Sequence, residues 1–118
     1  MEPSKTKIAV VTGAGSGIGR AVSLALLRSG YSVALMGRRV EALEGTAAMA
    51  YAESPNAVSL VIPADIGQPE HVRTAFSRVH AEFGRLDLLF NNAGIAAPGV
   101  PFDEITDDQW RAVVDVNF

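Results

Sequence analysis

Thr12-Gly13-Ala14-Gly15-Ser16-Gly17-Ile18-Gly19, directly after the apolar run Ile8-Ala9-Val10-Val11, is the stretch that decides the fold. A short β-branched run that ends in clustered glycines and opens into a helix presents a helix N-terminus to phosphate. Glycine serves that turn twice: it adopts backbone angles that a Cβ forbids, and it lets a pyrophosphate approach the main chain closely. The spacing G-x-G-x-x-G does not fit, because the third glycine would fall on Ile18 or Arg20. The longer spacing T-G-x-x-x-G-x-G does fit, through Thr12, Gly13, Gly17 and Gly19. Behind it, Ile18, Ala21, Val22, Ala25 and Leu26 recur at helical spacing as a candidate inner face, and Gly30 ends the helix.

Outward from this turn, strand and helix patterns alternate. Strands are expected near 7–12, 32–37, 58–63 and 86–91, and helices near 17–29, 39–52, 69–83 and 107–118. Pro69 suits the first turn of the third helix and Gly84 its end. Thr106 and Gln109 form a capping box for the fourth. The strands are short, continuous and apolar, as strands covered on both faces are. Such alternation predicts an α/β fold, a Rossmann-like doubly wound parallel sheet. A polar leader over 1–6 precedes a partial dinucleotide-binding domain over 7–118.

Bulk properties remove several function classes. The chain has 118 residues, 48% of them hydrophobic, and a net charge of -3. No basic stripe collects nucleic-acid phosphates. No apolar run approaches the ~18 residues of a membrane span. The short polar N-terminus is no secretory signal. Cysteine is absent, which removes disulfides, thiol catalysis and thiolate metal sites and suits a cytoplasmic location. His71 and His80 lie nine apart within a helical pattern and read as solvated helix residues rather than metal ligands.

Five features fall where a doubly wound sheet gathers them, at the carboxyl ends of successive strands. The glycine turn is the first. Gly37-Arg38-Arg39 is the second, standing where many dinucleotide domains carry an acid for the ribose 2′-hydroxyl. Two arginines at a helix N-terminus oppose the helix dipole, and a 2′-phosphate would relieve that conflict. The third is Asp65-Ile66, whose carboxylate can accept from an adenine amino group or shape the turn before Pro69. Asn91-Asn92-Ala93-Gly94 is the fourth: two amides that can tie strand ends together, backed by small residues. The fifth is Asn117, an amide on the apolar stripe Trp110, Val113, Val114 of the last helix.

In this order, the motifs resemble the short-chain dehydrogenase/reductase family, over Lys7 to Phe118. The resemblance implies that the turn through Thr12, Gly13, Gly15, Ser16, Gly17, Ile18 and Gly19 binds pyrophosphate. It implies that Asp65 with Ile66 meets the adenine, and that Asn91 to Gly94 brace the sheet beside the cofactor. Asn117 would support a proton relay. Arg38, helped by Arg39, would favour NADP(H) over NAD(H), although Ser16 replaces a basic residue found in one NADP pattern. The implied activity is hydride transfer between nicotinamide and a small carbonyl or alcohol substrate, by a protein whose full-length form is a homo-oligomer. The family's catalytic serine and its tyrosine with a lysine four residues on have no match. Tyr31 and Tyr51 are followed at that spacing by Leu35 and Pro55, and the only lysines are Lys5 and Lys7. The chain therefore reads as an N-terminal half, truncated after about four strands and within the fourth helix, and inactive alone. A non-catalytic nucleotide-binding module and a truncated isoform are the alternatives. Ile95 to Phe102 would border a substrate pocket.

Overall fold

The structure, a computed structural model, describes residues 6–92. Seven elements follow in strict alternation: β1 (Ile8–Thr12), α1 (Gly17–Arg28), β2 (Ser32–Gly37), α2 (Val40–Glu53), β3 (Ser59–Pro63), α3 (Pro69–Phe83) and β4 (Leu88–Asn91). The expected boundaries hold to within two residues. The expected fourth helix, with its capping box, lies outside the described residues.

The strands form one parallel sheet in the order β3-β2-β1-β4. β1 pairs with β2 from Ile8↔Ser32 to Thr12↔Met36, and with β4 from Ala9↔Leu88 to Thr12↔Asn91. The order turns back at β1: the chain goes outward to β3 on one side, then crosses to β4 on the other. Ligand clefts form at such a reversal, beyond the carboxyl ends of the strands.

Strand periodicity divides the core in two. Ile8, Val10, Ala34, Met36 and Ile62 point to the α3 face and pack on Val72, Phe76 and Val79. Ala9, Val11, Val33 and Leu35 point the other way, onto Leu24 and Leu27 of α1 and Leu43 and Ala50 of α2. All of β1 is buried, as the continuous apolar run predicts. β3 and β4, with one described neighbour each, are mostly half-buried, so two-sided cover applies in full only to the central pair.

The expected inner face of α1 needs correction. Its buried residues are Gly19, Ser23, Leu24 and Leu27, while Ile18 is 65% exposed and Ala21 and Ala25 lie outside. Val22 and Leu26 are half-buried. The inward stripe runs Gly19, Ser23, Leu27, and at Gly19 there is no room for a side chain. The buried Ser23 hydroxyl donates to the Gly19 carbonyl at 2.7 Å, so it carries no unpaired donor into the core. The end of α1 is as expected: Gly30 takes φ 96, and the N–H groups of Gly30 and Tyr31 donate to Leu27 and Leu26 carbonyls, a Schellman closure.

Asp87 sets the register of β4. It precedes the strand, and its carboxylate accepts the Ile8 backbone N–H at 2.8 Å and the Arg85 guanidinium. Burial works to raise its pKa, but the hydrogen bonds from Arg85 and Ile8 and the charges of Arg85 and Lys7 together hold the carboxyl below its ordinary value.

Candidate nucleotide-binding site

The glycine turn leaves the buried end of β1 and is tied down from three sides. Ala14, fully buried, donates its N–H to the Met36 carbonyl of β2 at 3.1 Å. Its own carbonyl accepts from the Thr46 hydroxyl of α2 at 2.8 Å. Arg20 of α1 donates Nε to Thr46 Oγ1 at 2.9 Å and a terminal N–H to the Ala42 carbonyl at 3.1 Å. Turn and both helices thus meet at one buried hydroxyl. Sequence reading missed Arg20 and Thr46. The available signal was a polar residue on the buried stripe Leu43, Thr46, Ala50.

The glycines of the turn answer to two physical reasons. Gly13 holds φ 65 and Gly17 φ 56, angles that L side chains rarely adopt. A Cβ at Gly19 would stand 1.9 Å from the Gly13 carbonyl oxygen, and one at Gly15 would stand 2.7 Å from Ala42 Cβ. Nothing lies within 4 Å of where a Gly17 Cβ would project, so open space faces the turn there. Ser16 caps α1 without a side-chain hydrogen bond, leaving the first-turn N–H groups without an intrahelical acceptor.

In front of the turn lies a cleft of about 460 Å³ lined by Gly13, Gly15, Ser16, Gly37, Arg38, Arg39, Ala42 and Leu43. Two of the five sequence features converge there: the glycine turn and the arginine pair. Arg38 and Arg39 are exposed at the N-terminus of α2, with Arg39 as its N-cap. Among the described residues neither makes an ion pair.

Asp65, Ile66, Asn91 and Asn92 lie along the same carboxyl edge of the sheet, but not in the lining of that cleft. Asp65 Oδ1 accepts the Gly67 N–H at 2.9 Å, so one carboxylate oxygen does shape the turn before Pro69. Ile66 packs on the α3-side core. Asn91 Oδ1 accepts from the buried Thr12 hydroxyl at 3.0 Å, joining the ends of β1 and β4. The Asn92 amide nitrogen comes within 3.1 Å of where a Gly19 Cβ would sit, so Gly19 also makes room for that side chain. Ala93, Gly94 and Asn117 lie outside the described residues. His71 and His80 are exposed, and no metal-binding cluster occurs among the described residues. His71 does more than meet solvent: its Nδ1 accepts the Asp65 backbone N–H at 3.0 Å. No described helix is long and apolar enough to cross a membrane.

Comparison with known proteins agrees with this geometry. The short chain dehydrogenase family model matches residues 7–118. A 3beta-hydroxysteroid dehydrogenase of Mediterraneibacter gnavus is 36% identical over 111 residues, covering 94% of this chain and 40% of that protein. A cyclohexanol dehydrogenase of an Acinetobacter strain is 36% identical, covering 94% of this chain and 43% of its own length. The chain thus spans less than half of these relatives. Among solved structures, a metagenomic short-chain oxidoreductase in complex with NADP superposes with a TM-score of 0.71 at 32% identity, covering 96% of this chain and 51% of that one. An alcohol dehydrogenase from the archaeon Thermococcus sibiricus, complexed with 5-hydroxy-NADP, gives 0.67 at 34% identity, covering 72% and 36%. With its glycine turn, its parallel sheet and a family match from Lys7 to its last residue, the chain belongs to the short-chain dehydrogenase family.

Proposed function

We propose that the chain is the cofactor-binding part of an NADP-preferring oxidoreductase that moves hydride between nicotinamide and a small carbonyl or alcohol. The observation that carries this reading is the cleft where the glycine turn faces two exposed arginines without ion-pair partners among the described residues. The residues fit a dinucleotide phosphate. Open space faces Gly17, and the first-turn N–H groups of α1 are donors in need of an acceptor. The arginines oppose the α2 dipole, Glu41 in its first turn suits it, and a bound anion beside the arginines would relieve the conflict. Bound there, the dinucleotide would supply or accept the hydride.

In this reading Gly13 to Gly19 hold the pyrophosphate, Arg38 and Arg39 the 2′-phosphate, and Asp65 with Ile66 the adenine. Asn91 to Gly94 brace the far side, and Asn117 supports the proton relay. Tyr31 stands just before β2, at the end of the sheet opposite the cleft, and Tyr51 lies near the end of α2, 62% exposed. Neither lines the cleft, so in this reading residues 1–118 alone turn over no substrate. The absence of a tyrosine from the cleft lining among the described residues favours, as a second reading, a nucleotide-binding module without catalysis.

Cofactor choice tests the proposal. Arg38→Asp removes a charge-assisted contact of roughly 1.5–3 kcal/mol, so relative affinity for NADP over NAD should fall at least about tenfold by calorimetric titration. Gly37→Asp should act in the same direction. Its Cβ would stand 3.2 Å from Cδ2 of the buried Leu43, which must give by a few tenths of an ångström to admit it. An unchanged ratio in both variants overturns the arginine assignment.

A further inference from the structure

The loop that joins β3 to α3 depends on an imidazole. Ala64 donates its N–H to the Gly37 carbonyl at 2.6 Å, Gly67 to Asp65 Oδ1 at 2.9 Å and Gln68 to the Asp65 carbonyl at 2.9 Å. These bonds stay within the loop or anchor it to β2. The Asp65 N–H instead reaches forward to His71 Nδ1, at 3.0 Å, in the first turn of α3. An imidazole nitrogen accepts only while it carries no proton, so this contact selects the neutral ring with its hydrogen on Nε2. Pro69 at the start of α3 restricts the backbone two residues before the ring. Asp65 Oδ1 is committed to Gly67, while Oδ2 has no hydrogen bond among the described residues.

We propose that His71 is a positioning residue for the nucleotide: as the neutral Nε2–H tautomer it fixes the Asp65 main chain, and so holds the uncommitted Asp65 carboxylate oxygen where it can accept from the adenine amino group. The proposal rests on the nucleotide reading above. It adds a residue on α3 that does not line the cleft and acts through Asp65.

The test compares His71→Leu, which removes the acceptor, with His71→Asn, whose amide oxygen replaces Nδ1 and keeps it. In the intact polypeptide, Asp65 amide exchange should quicken about five- to tenfold in the leucine variant, as expected for the loss of one hydrogen bond, and return in the asparagine variant. Nitrogen resonances of His71 in the unaltered protein should report an unprotonated Nδ1. Affinity for adenosine 2′,5′-bisphosphate should fall several-fold in His71→Leu and recover in His71→Asn. Exchange and tautomer measurements need no nucleotide. Unchanged exchange in the leucine variant, a protonated Nδ1 or failed rescue by asparagine overturns the His71 contact and leaves the nucleotide reading standing. Equal nucleotide affinity in all three proteins overturns the positioning role. No binding by the unaltered protein overturns the nucleotide reading, and the positioning role falls with it.

Discussion

At Gly19 two general expectations conflict. Replacing a helical glycine by alanine usually stabilises, by up to about 1 kcal/mol in a helix interior. Here the new Cβ would meet the Gly13 carbonyl oxygen at 1.9 Å, and that oxygen belongs to a backbone already held at φ 65. Main chain has to move, and overpacking of this kind costs about 1–3 kcal/mol or more. Gly19→Ala should therefore lower the melting temperature, and calorimetry with and without nucleotide would register both the lost stability and the lost affinity. Asp87 offers a second residue-scale outcome. Its folded pKa lies below the ordinary 3.8, so its contribution to stability is complete well above that value and is lost as pH falls through the folded pKa. Denaturant midpoints followed downward through the acid range should show this loss, and Asp87→Asn should flatten it. A slope unchanged in the variant would place the acid sensitivity elsewhere.

Between elements, the joint that matters is the Thr46 hydroxyl. It links turn, α1 and α2 in one step, and it is fully buried. Thr46→Val keeps the shape and strands two partners, the Ala14 carbonyl and Arg20 Nε, at a cost of about 1–3 kcal/mol. Chemical denaturation should show that loss and, on the proposed reading, weaker nucleotide binding, because Arg38 and Arg39 lead directly into α2. Element identity was legible beforehand because period 2 and period 3.6 are local properties of the chain. The rotation of α1 was not. Counting apolar residues favours Ile18, Ala21 and Ala25, whereas close helix-to-turn contact selects Gly19 for what it lacks. The glycine turn and arginine pair announced the cleft because their chemistry shows in their own residue types. Thr46 and His71 matter through partners 32 and 6 residues away, and no spacing rule encodes those.

β1 joins the two sides of the sheet, pairing with β2 nearby in sequence and with β4 across 79 residues. That asymmetry has a consequence in time. Closing the longer loop costs about 1 kcal/mol more entropy than closing the shorter, so β1, β2 and the helix between them should assemble first and β4 should dock late. Late contacts govern escape rather than arrival. Leu89→Ala on β4 should speed unfolding roughly tenfold and leave the refolding rate nearly unchanged, whereas Val33→Ala on β2 should slow refolding; stopped-flow chevrons separate the two. In that order of events the Thr12–Asn91 bond forms at the final closure, and Asn92 reaches Gly19 only then. If the glycine turn holds phosphate as proposed, it would exist before its amide brace, and a nucleotide met during synthesis would find its first contacts ready while the far side of the site was still open.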